Sequence, residues 1–202
     1  MLSTTHNFLF VHVPKTAGNS IQRNLVRFST DSIVKKAAHH DGLEMFEIES
    51  PNLNVHKHST ALEYRKQISG SDFDALHKAC GVRNPWDRCI SHYFSPYRGE
   101  VAWDACDFKN FVNKNVKPLK HYIQLSDGDR HYFSNIDSFI RFENLQSDFQ
   151  KFCQRVNISD TQIEHRNQSS RAHYREYYES NELIDFVAEK FAEEIEYFRY
   201  SF

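Results

Sequence analysis

Residues Phe8–Ser20, FLFVHVPKTAGNS, constrain this chain more than any other stretch. An apolar run (Phe8, Leu9, Phe10, Val11, Val13) stops at Pro14, and Lys15, Thr16, Ala17, Gly18, Asn19 and Ser20 follow. Beyond them Ile21, Leu25, Val26 and Phe28 recur at helical spacing. The pattern predicts a buried strand, a tight loop of small residues carrying one lysine, and a helix opening on Asn19 or Ser20. Such a unit receives anions. N–H groups at a helix start point outward, the helix dipole favours negative charge there, and the lysine adds a mobile full charge. The nucleoside-triphosphatase loop GxxxxGK[ST] is a different object, with its lysine at the loop's end and a hydroxyl beside it. Taken alone, PKTAGNS also fits a plain strand–turn–helix with an exposed lysine.

With 202 residues the chain suits a single domain spanning 1–202 with a proper core. A net charge of −2 excludes a broad nucleic-acid-binding surface, so any anion site is a local pocket. No run of ~18 apolar residues is present, so no transmembrane helix is expected. MLSTTHN lacks the basic and apolar regions of a secretory signal, and the early first strand leaves no room for a stem or anchor. Cys80, Cys89, Cys106 and Cys153 show no paired spacing and read as reduced thiols of a cytoplasmic protein.

Strand and helix alternate along the chain. Phe8–Val13 reads as a strand and Ser20–Phe28 as a helix, followed by a less regular stretch to Asn52. Leu53–His58 reads as a short strand, 61–68 as a helix and His77–Val82 as a strand. Asn84 then caps a helix whose first residue is Pro85. Phe108–Asn115 is helical, Asp137–Phe142 a strand and Asn144–Arg155 a helix. In the tail Leu183, Val187, Phe191, Ile195 and Phe198 predict one long core-facing helix, with Glu189, Glu193, Glu194 and Glu196 largely elsewhere. The expected fold is α/β, a mainly parallel central sheet flanked by helices, with ligands beyond the strands' carboxyl ends.

Arg83–Ser91, RNPWDRCIS, supplies a second anchor. An arginine at a strand's end and a hydroxyl on the following helix hold a second phosphate, although RNP alone is also a turn with a helix cap. HVPKTAGNS together with VRNPWDRCIS resembles the two nucleotide-binding signatures of sulfotransferases that use 3′-phosphoadenosine 5′-phosphosulfate (PAPS). The resemblance is closest to carbohydrate sulfotransferases of the heparan sulfate 2-O group and their soluble bacterial relatives. HKHSTALEY resembles that group's HxH segment, and SFIRFENLQSDFQKFC and HRNQSSRAHYREYY resemble later segments, in order through Phe202.

The resemblance implies roles. Lys15 with Thr16, Ala17, Gly18, Asn19 and Ser20 would hold the 5′-phosphosulfate, and Arg83 with Ser91 the 3′-phosphate. Ser169, Ser170 and Arg171 resemble a late loop that closes over the nucleotide. Asn19 stands where a hydroxyl residue is more usual. His58 is the candidate general base, with His56 the other candidate facing the same side of a strand. Lys15 would stabilise the leaving phosphate. His12 reads as a supporting residue. His39 and His40 point to opposite sides of an extended strand without further ligands, and this chemistry needs no metal. The acceptor would be a carbohydrate or another hydroxyl compound. Ser29–Asn52 and 97–132 would shape its cleft, with Tyr97, Trp103, Tyr122 and Tyr132 either stacking on sugar faces or belonging to the core. Two other readings stay open: a nucleotide-dependent kinase, and a non-catalytic member that binds nucleotide or glycan.

Overall fold

The computed structural model describes residues 1–35, 46–163 and 171–202. The elements run β1 (Leu2–Ser3), β2 (Phe8–Val11), α1 (Gly18–Leu25), β3 (Ser32–Lys35), β4 (Phe46–Glu49), α2 (Ala61–Arg65), α3 (Gly70–Ala75) and β5 (His77–Val82). There follow α4 (Pro85–Tyr93), α5 (Ala105–Asn115), α6 (Leu119–Ile123), β6 (Ser138–Arg141), α7 (Leu145–Arg155), α8 (Asn181–Lys190) and α9 (Ala192–Phe198). The fold is mixed α/β with a mainly parallel central sheet flanked by helices. The chain divides into two compact units, Met1–Val82 with Lys120–Arg166 and Arg83–Leu119 with Asn167–Phe202.

The first unit holds the sheet, in the order β1-β2-β5-β6. β2 pairs parallel with β5 (Phe8 opposite His77, Val11 opposite Cys80) and β5 parallel with β6, while β1 runs antiparallel to β2. A strand buried on both faces needs an unbroken apolar run, and all of Phe8–Val11 is buried. Phe8 and Phe10 pack with Ala79 and Ile140 against Ile21 and Leu25 of α1 and Leu145, Phe149 and Phe152 of α7. Burying each large side chain contributes about 1.5–3 kcal/mol.

Sequence and structure part company at three places in this unit. α1 starts at Gly18, before the expected Ser20, and its helical path tightens into a 3-10 turn over Val26–Phe28. The stretch to Asn52 contains an antiparallel pair, β3 with β4, in which Phe46 and Ile48 alternate inward. Leu53–His58 is not a strand. His56 and Ser59 close a turn, with the Ser59 N–H donating to the His56 carbonyl at 2.9 Å and the His56 N–H to the Ser59 hydroxyl at 3.1 Å. The turn delivers the chain to Thr60, whose hydroxyl accepts from the Glu63 N–H while the Glu63 carboxylate accepts from the Thr60 N–H. That reciprocal cap starts α2 and outweighs any extended preference upstream.

The second unit is helical. Asn84 caps α4, accepting from the N–H groups of Trp86 and Asp87. Trp86, Tyr93, Phe108, Val112, Leu183, Val187 and Phe191 form its core. The tail is two helices, not one: Phe191 leaves helical geometry (φ −118°, ψ 25°) between α8 and α9. The break turns Glu194 inward, contrary to the sequence pattern. Its carboxylate meets the buried Arg88 guanidinium at 3.2 Å and accepts the Leu119 N–H at 2.5 Å. Trp103, partly buried, packs among Tyr93, Phe94, Phe108 and Tyr177 against this core, and in the first unit Tyr122 and Tyr132 are buried. The Tyr97 side chain lies outside the described residues, as do His39, His40, Ser169 and Ser170.

Candidate active site

The loop after β2 is bent by left-handed backbone at Lys15 (φ 67°) and Ala17 (φ 66°), a region that residues with a Cβ seldom adopt. Two glycines make room for it. A Cβ on Gly81 of β5 would stand 2.4 Å from the Thr16 hydroxyl and 2.8 Å from its carbonyl; one on Gly18 would stand 2.0 Å from the His12 ring. The loop is therefore seated on the neighbouring strand, and the start of α1 on His12. Thr16 is buried and its hydroxyl donates to the Val13 carbonyl at 2.8 Å, which locks the bend. Ala17 offers α1 no side-chain cap, and the first turn carries no acid. The first N–H groups of an α-helix, which here opens at Gly18, point out of its start. A backbone cradle of this kind, with Lys15 at its mouth, suits an anionic group.

A histidine cluster lies beneath this loop. The His58 Nδ1 faces the His12 carbonyl at 3.1 Å. A carbonyl only accepts, so Nδ1 carries the ring proton and Nε2 keeps the lone pair. Burial holds His58 below the ordinary histidine value; the bond to His12 opposes this, and the Lys57 charge adds to it. The His12 ring stands 4.4 Å from that of His58, and its Nδ1 lies 2.9 Å from Gln22 Oε1 on α1. Burial, His58 and Lys57 push His12 well below the ordinary value. His56 goes the other way. It is exposed, and its Nδ1 accepts the His58 N–H at 3.1 Å, so it shapes the turn rather than sharing the direction of His58.

In the second unit Arg83 is nearly buried and reaches along α4. Its Nε donates to Asp87 at 2.8 Å and its Nη1 to the Ser91 hydroxyl at 3.2 Å. Arg171 binds the other oxygen of Asp87. Arg83 and Arg171 are thus both bound to the Asp87 carboxylate, with Ser91 on Arg83. Sequence reasoning names Arg83, Ser91 and Arg171 as candidates and does not name Asp87 or Gln22. Among the described residues no group of three or more His, Cys, Asp or Glu side chains is placed to hold a metal ion.

The sequence model described as "Sulfotransferase family" matches residues 1–201. A protein of Archaeoglobus fulgidus, described only as an uncharacterized protein, is 26% identical over 97 residues, covering 48% of this chain and 80% of the relative. No solved structure matches the chain.

Proposed function

The chain belongs to the sulfotransferase family, and on that premise we propose that it moves a sulfuryl group from PAPS to a hydroxyl of a carbohydrate, in the manner of the heparan sulfate 2-O group. His58 supplies the base. The observation that carries this reading is the bond from the His58 Nδ1 to the His12 carbonyl, which leaves Nε2 as the acceptor of a proton. In the proposed step the acceptor's oxygen forms a bond to sulfur and its proton passes to His58 Nε2. The bond between sulfur and the bridging oxygen breaks, and its electron pair leaves with the 5′-phosphate.

Each remaining residue has a part in that account. The N–H groups of Thr16, Ala17, Gly18, Asn19 and Ser20, with the Lys15 ammonium, hold the 5′-phosphosulfate, and Lys15 stabilises the charge that develops on the leaving oxygen. Arg83, Ser91 and Arg171 hold the 3′-phosphate, where a guanidinium binds two oxygens at once. Ser170 belongs to the same proposed grip. His56 is the reserve candidate for the base. The four cysteines are all free thiols, which suits a reducing cytoplasm.

A transfer screen tests the proposal: the protein and PAPS are incubated with a panel of glycans and small hydroxyl compounds, and products are read by mass spectrometry. A sulfated glycan formed only with PAPS supports the carbohydrate assignment. Sulfation confined to small alcohols would replace the acceptor class, and no transfer to any acceptor despite tight nucleotide binding would favour a non-catalytic binding protein.

A further inference from the structure

Two guanidiniums repel each other, and they stay together where a carboxylate offsets that repulsion. Asp87 does this for Arg83 and Arg171. It sits in the first turn of α4, where its N–H donates to the Asn84 side chain at 3.4 Å and the helix dipole favours an acid. Each of its oxygens takes a different arginine. Oδ2 accepts from Arg83 Nε at 2.8 Å and stands 2.7 Å from Nη2, so it lies in the notch of that guanidinium. Oδ1 accepts from Arg171 Nη2. The side chains of Arg83, Asp87 and Arg171 are 9%, 15% and 10% exposed, so water screens these contacts little. Arg171 belongs to no helix or strand and lies 84 residues from Asp87. No regular element aims its side chain; the carboxylate ties it to α4.

We propose that Asp87 is a positioning residue for the donor: by holding the Arg83 and Arg171 guanidiniums on one carboxylate, it prepares both to meet the same 3′-phosphate. The proposal rests on the reading of Arg83 and Arg171 as the grip on that phosphate. Asp87 does not touch the phosphate, which a carboxylate would repel, and acts through the two arginines. A guanidinium carries five N–H donors in a fixed plane, so the edge resting on Asp87 sets the direction of the rest. A side chain ordered before the ligand arrives loses less freedom on binding, and the gain appears as affinity. The consequence is selectivity. A nucleotide with a 3′-phosphate benefits from the held pair, and one without it does not. The sign distinguishes this role from another. A carboxylate that merely filled the phosphate's place would have to be displaced, and its removal would tighten binding.

The test measures by calorimetry how the parent protein, Asp87→Asn and Asp87→Ala bind 3′-phosphoadenosine 5′-phosphate and adenosine 5′-phosphate, which lacks the 3′ group. The ratio of the two affinities is the readout, because a general loss of folded protein moves both alike. Asn keeps the side chain's shape, so it serves if Ala does not fold. Both variants are expected to lower the ratio roughly tenfold, the scale of one misplaced hydrogen bond to a charged group, with adenosine 5′-phosphate within about twofold of the parent. In an Arg171→Ala background the further loss on adding Asp87→Ala should be smaller, since one of the two arginines it holds is gone. A ratio unchanged in the folded variants overturns the proposal. So does a ratio that rises, which would make Asp87 a competitor of the phosphate, and so does an equal loss with Arg171 present or absent. No preference for the 3′-phosphorylated nucleotide in the parent protein would instead overturn the reading on which the proposal rests.

Discussion

A histidine that gives its Nδ1 proton to a backbone carbonyl has one nitrogen left to accept, and His58 is bound this way to His12. Its neighbour Gln22 fixes His12 from the other side. Both rings are held below the ordinary histidine value, chiefly by burial. An unfolded chain therefore binds protons here that the folded one refuses. Their stabilising contribution is complete above about pH 6.5 and is lost as pH falls through the lower folded-state values. Thermal midpoints should decline from pH 7 to pH 5, and His12→Asn should flatten that slope; an unchanged slope would place the acid sensitivity elsewhere. Arg83→Ala should weaken binding of 3′-phosphoadenosine 5′-phosphate by about 1.5–3 kcal/mol in calorimetry, the scale of a hydrogen bond to a charged group. No loss would remove Arg83 from the 3′-phosphate site. The places of Arg83 and Ser91 in the chain's fold were legible because a strand's end and a capped helix fix where they stand. Asp87 was not: an acid four residues after an arginine reads as an ordinary helix pair, and its second partner, Arg171, lies 84 residues away.

Elements show how much the close approaches matter. β5 and the start of α4 appear at their expected bounds, since an apolar run followed by Asn-Pro leaves the backbone few alternatives. The bend from β2 into α1 depends on contacts that no local pattern reports: the Thr16 hydroxyl on Val13, and Gly81 against the loop. Gly81→Ala should cost about 1–3 kcal/mol in urea unfolding, because the backbone carbonyl of Thr16 as well as its hydroxyl must move. It should also reduce stabilisation by nucleotide, whereas full retention of both would mean that the loop is not seated on β5. The tail misled sequence reasoning for a different reason. Periodicity treats a carboxylate as outward, yet Arg88 is buried on α4 and the break at Phe191 brings Glu194 to it. Removing one partner strands a buried charge, so Glu194→Ala should destabilise by about 3–5 kcal/mol; a loss under 1 kcal/mol would show that Arg88 reaches water.

At the scale of the whole molecule, the α/β class and the parallel strands β2, β5 and β6 followed from alternation alone. The β3–β4 pair did not, because four-residue strands in a charged stretch carry too little pattern to separate from loop. The histidine turn was likewise misread as a strand, since its bends are set by Ser59, Thr60 and Glu63 rather than by its own residues. On the proposed reading the donor carries two phosphate-like groups. 3′-Phosphoadenosine 5′-phosphate should therefore raise the thermal midpoint by mass action well beyond what ATP with magnesium achieves. Equal stabilisation by both would favour a kinase. The central claim is that His58 takes the acceptor's proton during sulfuryl transfer, and turnover of His58→Asn with PAPS and the acceptor found by screening tests it most directly. The expected result is a fall in kcat of roughly 10²-fold or more, with affinity for 3′-phosphoadenosine 5′-phosphate within about twofold of the parent. Turnover at the parent rate would contradict it.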